Sequence, residues 1–227
     1  ALMLGALAIF LLTVREPQWA EEMQAASAQL EEEAAQEGEK RRLSKSEITS
    51  MLLILASVAL WYIGYNAVTS KYSLYASSVL GMDYNTTMLI AQGAAIVSYL
   101  PAGMVASKIG RKKTILGGVV MLASAFAIAA FMRAGSPVLL MNVLFALAGI
   151  GWATINVNSF PMVVEMCSGA DIGKFTGYYY TASMAAQVIT PIFSGFLMDQ
   201  MGMVVLFPYA AIFAGLAFVT MLFVKHG

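Results

Sequence analysis

Tyr62, Asn66, Gln92, Trp152, Asn156, Tyr180 and Gln187 are neutral hydrogen-bonding or stacking groups set into long apolar stretches. Amide, phenol and indole groups suit a neutral solute that offers hydroxyls and an apolar ring face. They recur at helical spacing. The stretch around 49–70 carries Tyr62, Asn66, Thr69 and Ser73, and that around 84–106 carries Gln92 and Tyr99, seven apart. Residues 137–165 carry Trp152, Asn156 and Ser159, and residues 176–198 carry Thr176, Tyr180, Ser183, Gln187, Thr190 and Ser194. The stretches 114–132 and 204–224 have almost nothing comparable. A polar stripe must face protein or water, whereas a uniformly apolar helix can face lipid. The pattern predicts four helices around a cavity and two outside it. The same groups also serve as glue between helices with no cavity at all.

The elements that position these groups follow from composition. Hydrophobic residues make up 59% of the chain and charged residues only 11%, far from soluble averages. Six apolar stretches, roughly 49–70, 84–106, 114–132, 137–165, 176–198 and 204–224, are each long enough to cross a ~30 Å hydrocarbon core at ~1.5 Å per residue. Residues 1–14 read as the tail of an earlier span, since they have neither a basic flank nor a cleavage site. Residues 15–47 are acidic and rich in Ala and Gln, and read as a loop that is solvated or lies along a membrane surface. Ser44 and Glu47 fit a capping box with Leu43 and Ile48 as its hydrophobic staple, so a complete span is expected to start there.

GMVASKIGRKK, Gly103 to Lys113, is a basic turn between two apolar stretches. Gly103 is expected to let helices approach closely and Gly110 to let the chain reverse. Lys108, Arg111, Lys112 and Lys113 must stay outside hydrocarbon. If this turn is cytoplasmic, alternation places eleven Lys and Arg on that side and only Lys71 and Arg133 on the other, of thirteen in all. That asymmetry predicts a cytoplasmic central loop and C-terminus. Once these residues serve as membrane anchors no basic surface is left for nucleic acid. The lone Cys167 allows no intrachain disulfide and reads as a packing residue. No metal cluster, nucleotide loop or nucleophile–base pair is present in the sequence, so no cofactor and no enzymatic activity is expected. Asn85-Thr86-Thr87 fits a glycosylation sequon, but a helix cap by Asp83 or Asn85 is the expected role.

Gly103 and Gly110 are seven residues apart, as are Gly195 and Gly202, and the two pairs are offset by 92 residues, or three spans. Three spans reverse the topology, so the pattern predicts two inverted three-helix repeats.

The basic turn resembles the loop signature of the major facilitator superfamily, with Ser107 where the family carries Asp. The resemblance extends over the chain, which looks like spans seven to twelve of such a transporter, preceded by the end of span six (1–14) and the central loop (15–47), with the six-helix domain at 48–227. GIGWATINVNSFPMVVE and DIGKFTGYYYTASMAAQVITPIFSGFL resemble the sucrose-transporter-like branch, related to the glycoside–pentoside–hexuronide symporters. The resemblance implies an all-α half-transporter of a plasma membrane that lacks its N-terminal six-helix half and carries a neutral sugar or glycoside with protons. Stripe position and hydrogen-bonding or stacking chemistry make Tyr62, Asn66, Gln92, Trp152, Asn156, Tyr180 and Gln187 the expected substrate contacts. The resemblance also implies a gate in which Gly103, Lys108, Gly110 and Arg111 meet acidic groups, with Lys174 nearby; without the family's Asp, Glu165 is the expected partner of Arg111. An exporter of apolar compounds and a transporter-like sensor are the alternatives.

Overall fold

The computed structural model describes residues 44–166 and 171–225. The readings made above for residues 1–43 and Cys167 lie outside them. All described residues except Asp171 belong to one compact unit.

Among the described residues, six helices are long and apolar enough to cross a membrane. They are α1 (Lys45–Tyr75), α2 (Tyr84–Ile109), α3 (Arg111–Ala129), α4 (Val138–Val164), α5 (Ile172–Met201) and α6 (Leu206–Leu222). No strand occurs among the described residues. Ser44 starts α1 with the expected box: its Oγ accepts from the Glu47 N–H at 3.2 Å, and the Glu47 carboxylate accepts from the Ser44 N–H at 2.8 Å. Asp83 caps α2 by accepting from the Asn85 N–H at 3.3 Å. α1 does not stop near residue 70 but continues through a π-helical turn, Ala76–Leu80. Lys71, placed by the sequence beyond the span, is therefore inside the helix. Its stem and ammonium run across Gly195 of α5, with Nζ 3.2 Å from where a Cβ would stand.

α1 packs along α5 and α6; α4 packs along α2 and α3; α3 packs along α6. Exchanging α1 with α4, α2 with α5 and α3 with α6 leaves this list unchanged, as two inverted three-helix repeats require. The turns agree. Gly110 (φ 90°, ψ 151°) and Gly202 (φ 87°, ψ 162°) adopt the same conformation, in a region side chains rarely enter. Each donates its N–H to the carbonyl four residues back, Ala106 or Met198, at 2.9 Å.

Backbones touch where side chains are smallest. A Cβ on Gly151 of α4 would lie 2.7 Å from the Gly118 carbonyl of α3, and one on Gly64 of α1 would lie 2.9 Å from the Ala210 carbonyl of α6. Gly118 and Ala210 are equivalent under the 92-residue offset. Gly149 of α4 sits directly on the Ala91 backbone of α2. Gly103, expected at such an approach, has no atom within 4 Å of a Cβ position, because α2 buries Ala91, Ala95, Ala102 and Ala106 instead.

Phe207 of α6 gathers Tyr72 and Tyr75 of α1, Phe126 of α3 and Phe145 of α4 into an aromatic core. The other face of α6 leaves Ile212, Leu216, Val219 and Phe223 exposed, a stripe suited to lipid. α2 and α5 bury the smallest share of their length, since each packs chiefly along a single neighbour.

Candidate functional site

Near the middle of α1 and α4 the neutral groups converge. Tyr62 donates its hydroxyl to Asn156 Oδ1 at 3.1 Å, and Asn156 Nδ2 donates to the Trp152 carbonyl at 3.2 Å. Trp152 is held between two tyrosines. The Tyr65 ring lies parallel to the indole, centroids 3.7 Å apart at 3°, and the Tyr62 ring meets it edge-on at 5.0 Å and 77°. The Tyr62 hydroxyl also neighbours Tyr179 of α5, whose own hydroxyl is 2.8 Å from Ser159 Oγ. The helix period explains the grouping. Tyr62 and Tyr65 share a face of α1, and Trp152, Asn156 and Ser159 share a face of α4.

Sequence reasoning thus placed Tyr62, Trp152 and Asn156 together. It missed Tyr65, Tyr179 and Phe160. Phe160 packs against Tyr179 and Tyr180 at 5.3 and 5.8 Å. Their signal was available, because Tyr65 is one helical turn from Tyr62, and Tyr179 adjoins Tyr180. Tyr180 is exposed beside this group and touches it through Phe160 and Tyr179. The remaining candidates are more self-contained. Asn66 donates to the Tyr62 carbonyl at 2.8 Å, and Gln187 to the Ser183 carbonyl at 3.3 Å. Gln92 lines a small crevice with Tyr65, Thr69, Met88 and Gly149.

The polar stripe of α5 does not face one way. Ser183, Thr190 and Ser194 are buried, whereas Tyr180 and Gln187 are exposed. Spacings of three and four step to either side of a line along the helix, so the stripe straddles the edge between the packed face and the open one. Ser183 and Thr190 bond to carbonyls of their own helix, which is the behaviour of packing groups.

The basic turn is built as expected in one respect. Arg111 grips the Glu165 carboxylate: Nε lies 2.8 Å from both oxygens and Nη2 2.5 Å from Oε1. The pair links the start of α3 to the C-cap of α4. Ser107 turns back to the Met104 carbonyl at 2.8 Å, so it does not replace a carboxylate. Lys108 and Lys174 are exposed and stand outside this pair; Lys174 lies over the Tyr178 ring, 5.9 Å from its centre. Lys112, assigned only to anchoring, donates to the Leu222 and Val224 carbonyls at 2.9 and 2.5 Å. Among the described residues no group of three or more His, Cys, Asp or Glu is arranged to hold a metal ion.

Six candidate spans among the described residues, in two inverted repeats with neutral groups gathered near the middle of α1 and α4, define a unit of a multi-pass membrane protein. The chain belongs to the Major Facilitator Superfamily, whose family model matches residues 84–226. It is similar to the MFS-type transporter ppzB of Metarhizium rileyi (strain RCEF 4871), at 28% identity over 120 residues, which is 53% of this chain and 24% of that protein. The MFS-type transporter ppzB of Metarhizium majus (strain ARSEF 297) is 29% identical over 53% of this chain and 26% of its own length. The chain therefore spans about a quarter of these relatives. Among solved structures, the POT family transporter PepTSo superposes with a TM-score of 0.67 at 14% identity, covering 76% of this chain and 36% of the other. At that identity the likeness is one of fold.

Proposed function

We propose that this chain is the C-terminal half of a proton-coupled symporter for a neutral sugar or glycoside. It would act by alternating access in a plasma membrane with the basic turn facing the cytoplasm. The observation that carries the reading is the uncharged cluster of Tyr62, Trp152, Asn156 and Tyr179, where hydroxyl, amide and ring chemistry meet near mid-span. Ionised solutes would ordinarily require a fixed counter-charge there. Glu165 lies at the C-cap of α4 and Asp199 in the last turn of α5, so the titratable coupling group belongs to the other half. That half would cover the open faces of α2 and α5. The Arg111–Glu165 pair would hold the cytoplasmic side closed.

The density of rings around Trp152 also favours a second reading, an exporter of apolar ring compounds on the same fold. Proteoliposomes containing both halves separate the two. Sugar uptake that rises with an inward proton gradient supports the symporter, while gradient-driven extrusion of apolar dyes with no sugar uptake supports the exporter. Transport by the 227-residue chain alone, above empty vesicles, would refute the half-transporter assignment.

A further inference from the structure

The candidate site is occupied by the protein's own side chains. Both ends of the Asn156 amide are used: Oδ1 accepts from Tyr62, and Nδ2 donates to the Trp152 carbonyl. One face of the Trp152 indole is covered by Tyr65, and Tyr62 closes on it edge-on. Tyr62 and Tyr65 therefore present to α4 a hydroxyl and a ring face, the two features expected of the solute.

Both tyrosines come from one turn of α1, so a single local movement of that turn withdraws both. α1 is packed mainly along α5 and α6 and touches α4 far less. The Tyr62 hydroxyl also has an alternative partner. It lies beside the Tyr179 hydroxyl, which is itself held by Ser159. Leaving Asn156 does not strand a buried donor, which is the costly part of breaking a buried hydrogen bond. A bond whose donor has a second acceptor within reach is suited to exchange.

We infer that Tyr62 and Tyr65 form an internal plug that competes with the solute for Asn156 and Trp152. This rests on the assignment of the cluster as the substrate site. Binding then proceeds by exchange: a solute hydroxyl replaces that of Tyr62 on Asn156, a solute ring face replaces Tyr65 on Trp152, and Tyr62 transfers to Tyr179. The plug raises the affinity threshold. Only a solute that supplies both features recovers what it displaces, so the device selects ring-bearing polyols over smaller polar molecules.

The sign of one substitution separates this from direct binding by Tyr62. In full transporter reconstituted with both halves, half-saturation is measured for a panel of neutral disaccharides and aryl glycosides. Tyr62→Phe keeps the ring and removes the competing hydroxyl, so half-saturation is expected to fall about 2- to 10-fold, the range one buried hydrogen bond spans. Asn156→Ala is expected to raise it. If Tyr62→Phe weakens binding as Asn156→Ala does, Tyr62 is a ligand of the solute and the plug is overturned.

A second measurement needs no solute. In a Cys167→Ser background, Asn156→Cys, which itself frees the Tyr62 hydroxyl, is alkylated with N-ethylmaleimide with and without Tyr62→Ala and Tyr65→Ala, so that the rate reads the cover the two rings give. Removing the plug is expected to speed alkylation several-fold, and an unchanged rate overturns the inference. Absence of uptake by the unmutated transporter across the panel counts against the sugar assignment alone, and the alkylation rates then decide the plug.

Discussion

α3 and α6 are repeat partners that end on equivalent carbonyls held by different cations. In α3, Arg133 reaches back to the Ala130 and Met132 carbonyls at 2.8 and 2.7 Å. In α6 the carbonyls 92 residues further on, Leu222 and Val224, are held by Lys112 from the start of α3. Positive groups at helix C-termini are favourable in either case. The consequences differ. Arg133 closes only its own helix, whereas Lys112 fastens the basic turn to another. With Arg111 on Glu165, that turn is tied to the ends of both α4 and α6. The turn at Gly202 is followed by Met203, Val204 and Val205, which offer no such groups. The backbone is thus symmetric and the side-chain ties are not, so one end of the bundle is stapled.

The symmetric part is tested by the largest expected effects. Gly151→Val pushes a side chain into the Gly118 carbonyl and the Leu122 amide, 2.7 and 3.0 Å from the Cβ position. Backbone cannot yield as a side chain can, so a loss of about 3 kcal/mol or more is expected. Gly64→Val, against the Ala210 carbonyl, should cost nearly as much. Gly195→Ala meets only the flexible end of Lys71 and should be almost silent. Thermal unfolding of the purified protein in detergent ranks the three. A Gly195→Ala loss equal to that of Gly151→Val would show that close approach is not what holds the repeats together.

The turn glycines come next. Gly110→Ala and Gly202→Ala each force a side chain into the same disfavoured backbone region, at a cost of about 1–3 kcal/mol. Equal losses in the same unfolding assay would sharpen the symmetry. A clearly smaller loss at Gly110 would mean that the ties around it absorb the strain.

Much of this was legible from residue order. Apolar length gave six spans, the Ser44–Glu47 spacing gave the start of α1, and the paired glycines gave the repeat, because each depends on local chemistry. Glu165 was legible as the partner of Arg111 through the missing carboxylate at Ser107. The far end of α1 was not, since the α-helix runs past the hydropathy boundary to Tyr75 and takes Lys71 with it, and a π-helical turn then carries it on to Leu80. The facing of Gly103 was also hidden, because alanines on α2 serve for packing as well as glycine does. The split α5 stripe and the mutual satisfaction of Tyr62 and Asn156 depend on which neighbour lies opposite. Spacing along one helix does not record that.

The staple itself is tested at Glu165. Its side chain and that of Arg111 are 53% and 31% exposed, so the pair should contribute no more than about 1 kcal/mol to stability. Glu165→Gln is expected to leave the unfolding midpoint nearly unchanged. If the pair holds one side closed, the same variant shifts cysteine accessibility toward an opening on the side of the basic turn and slows turnover. Normal turnover with unaltered accessibility would reduce the pair to an anchor for topology.

The smallest effect separates the two cations. Lys112→Met keeps the apolar stem and removes the ammonium, and Arg133→Met does the same for the local cap. A charge at a helix end contributes roughly 0.3–1 kcal/mol, so neither should lower global stability much. Hydrogen exchange resolves what remains. Arg133→Met should speed exchange only in the last turn of α3. Lys112→Met should loosen the last turn of α6 and, because the tie runs between elements, the first turn of α3 as well. Confinement of the Lys112→Met effect to α6 would make it a cap like Arg133, and the two ends of the bundle would then differ only in Arg111 and Glu165.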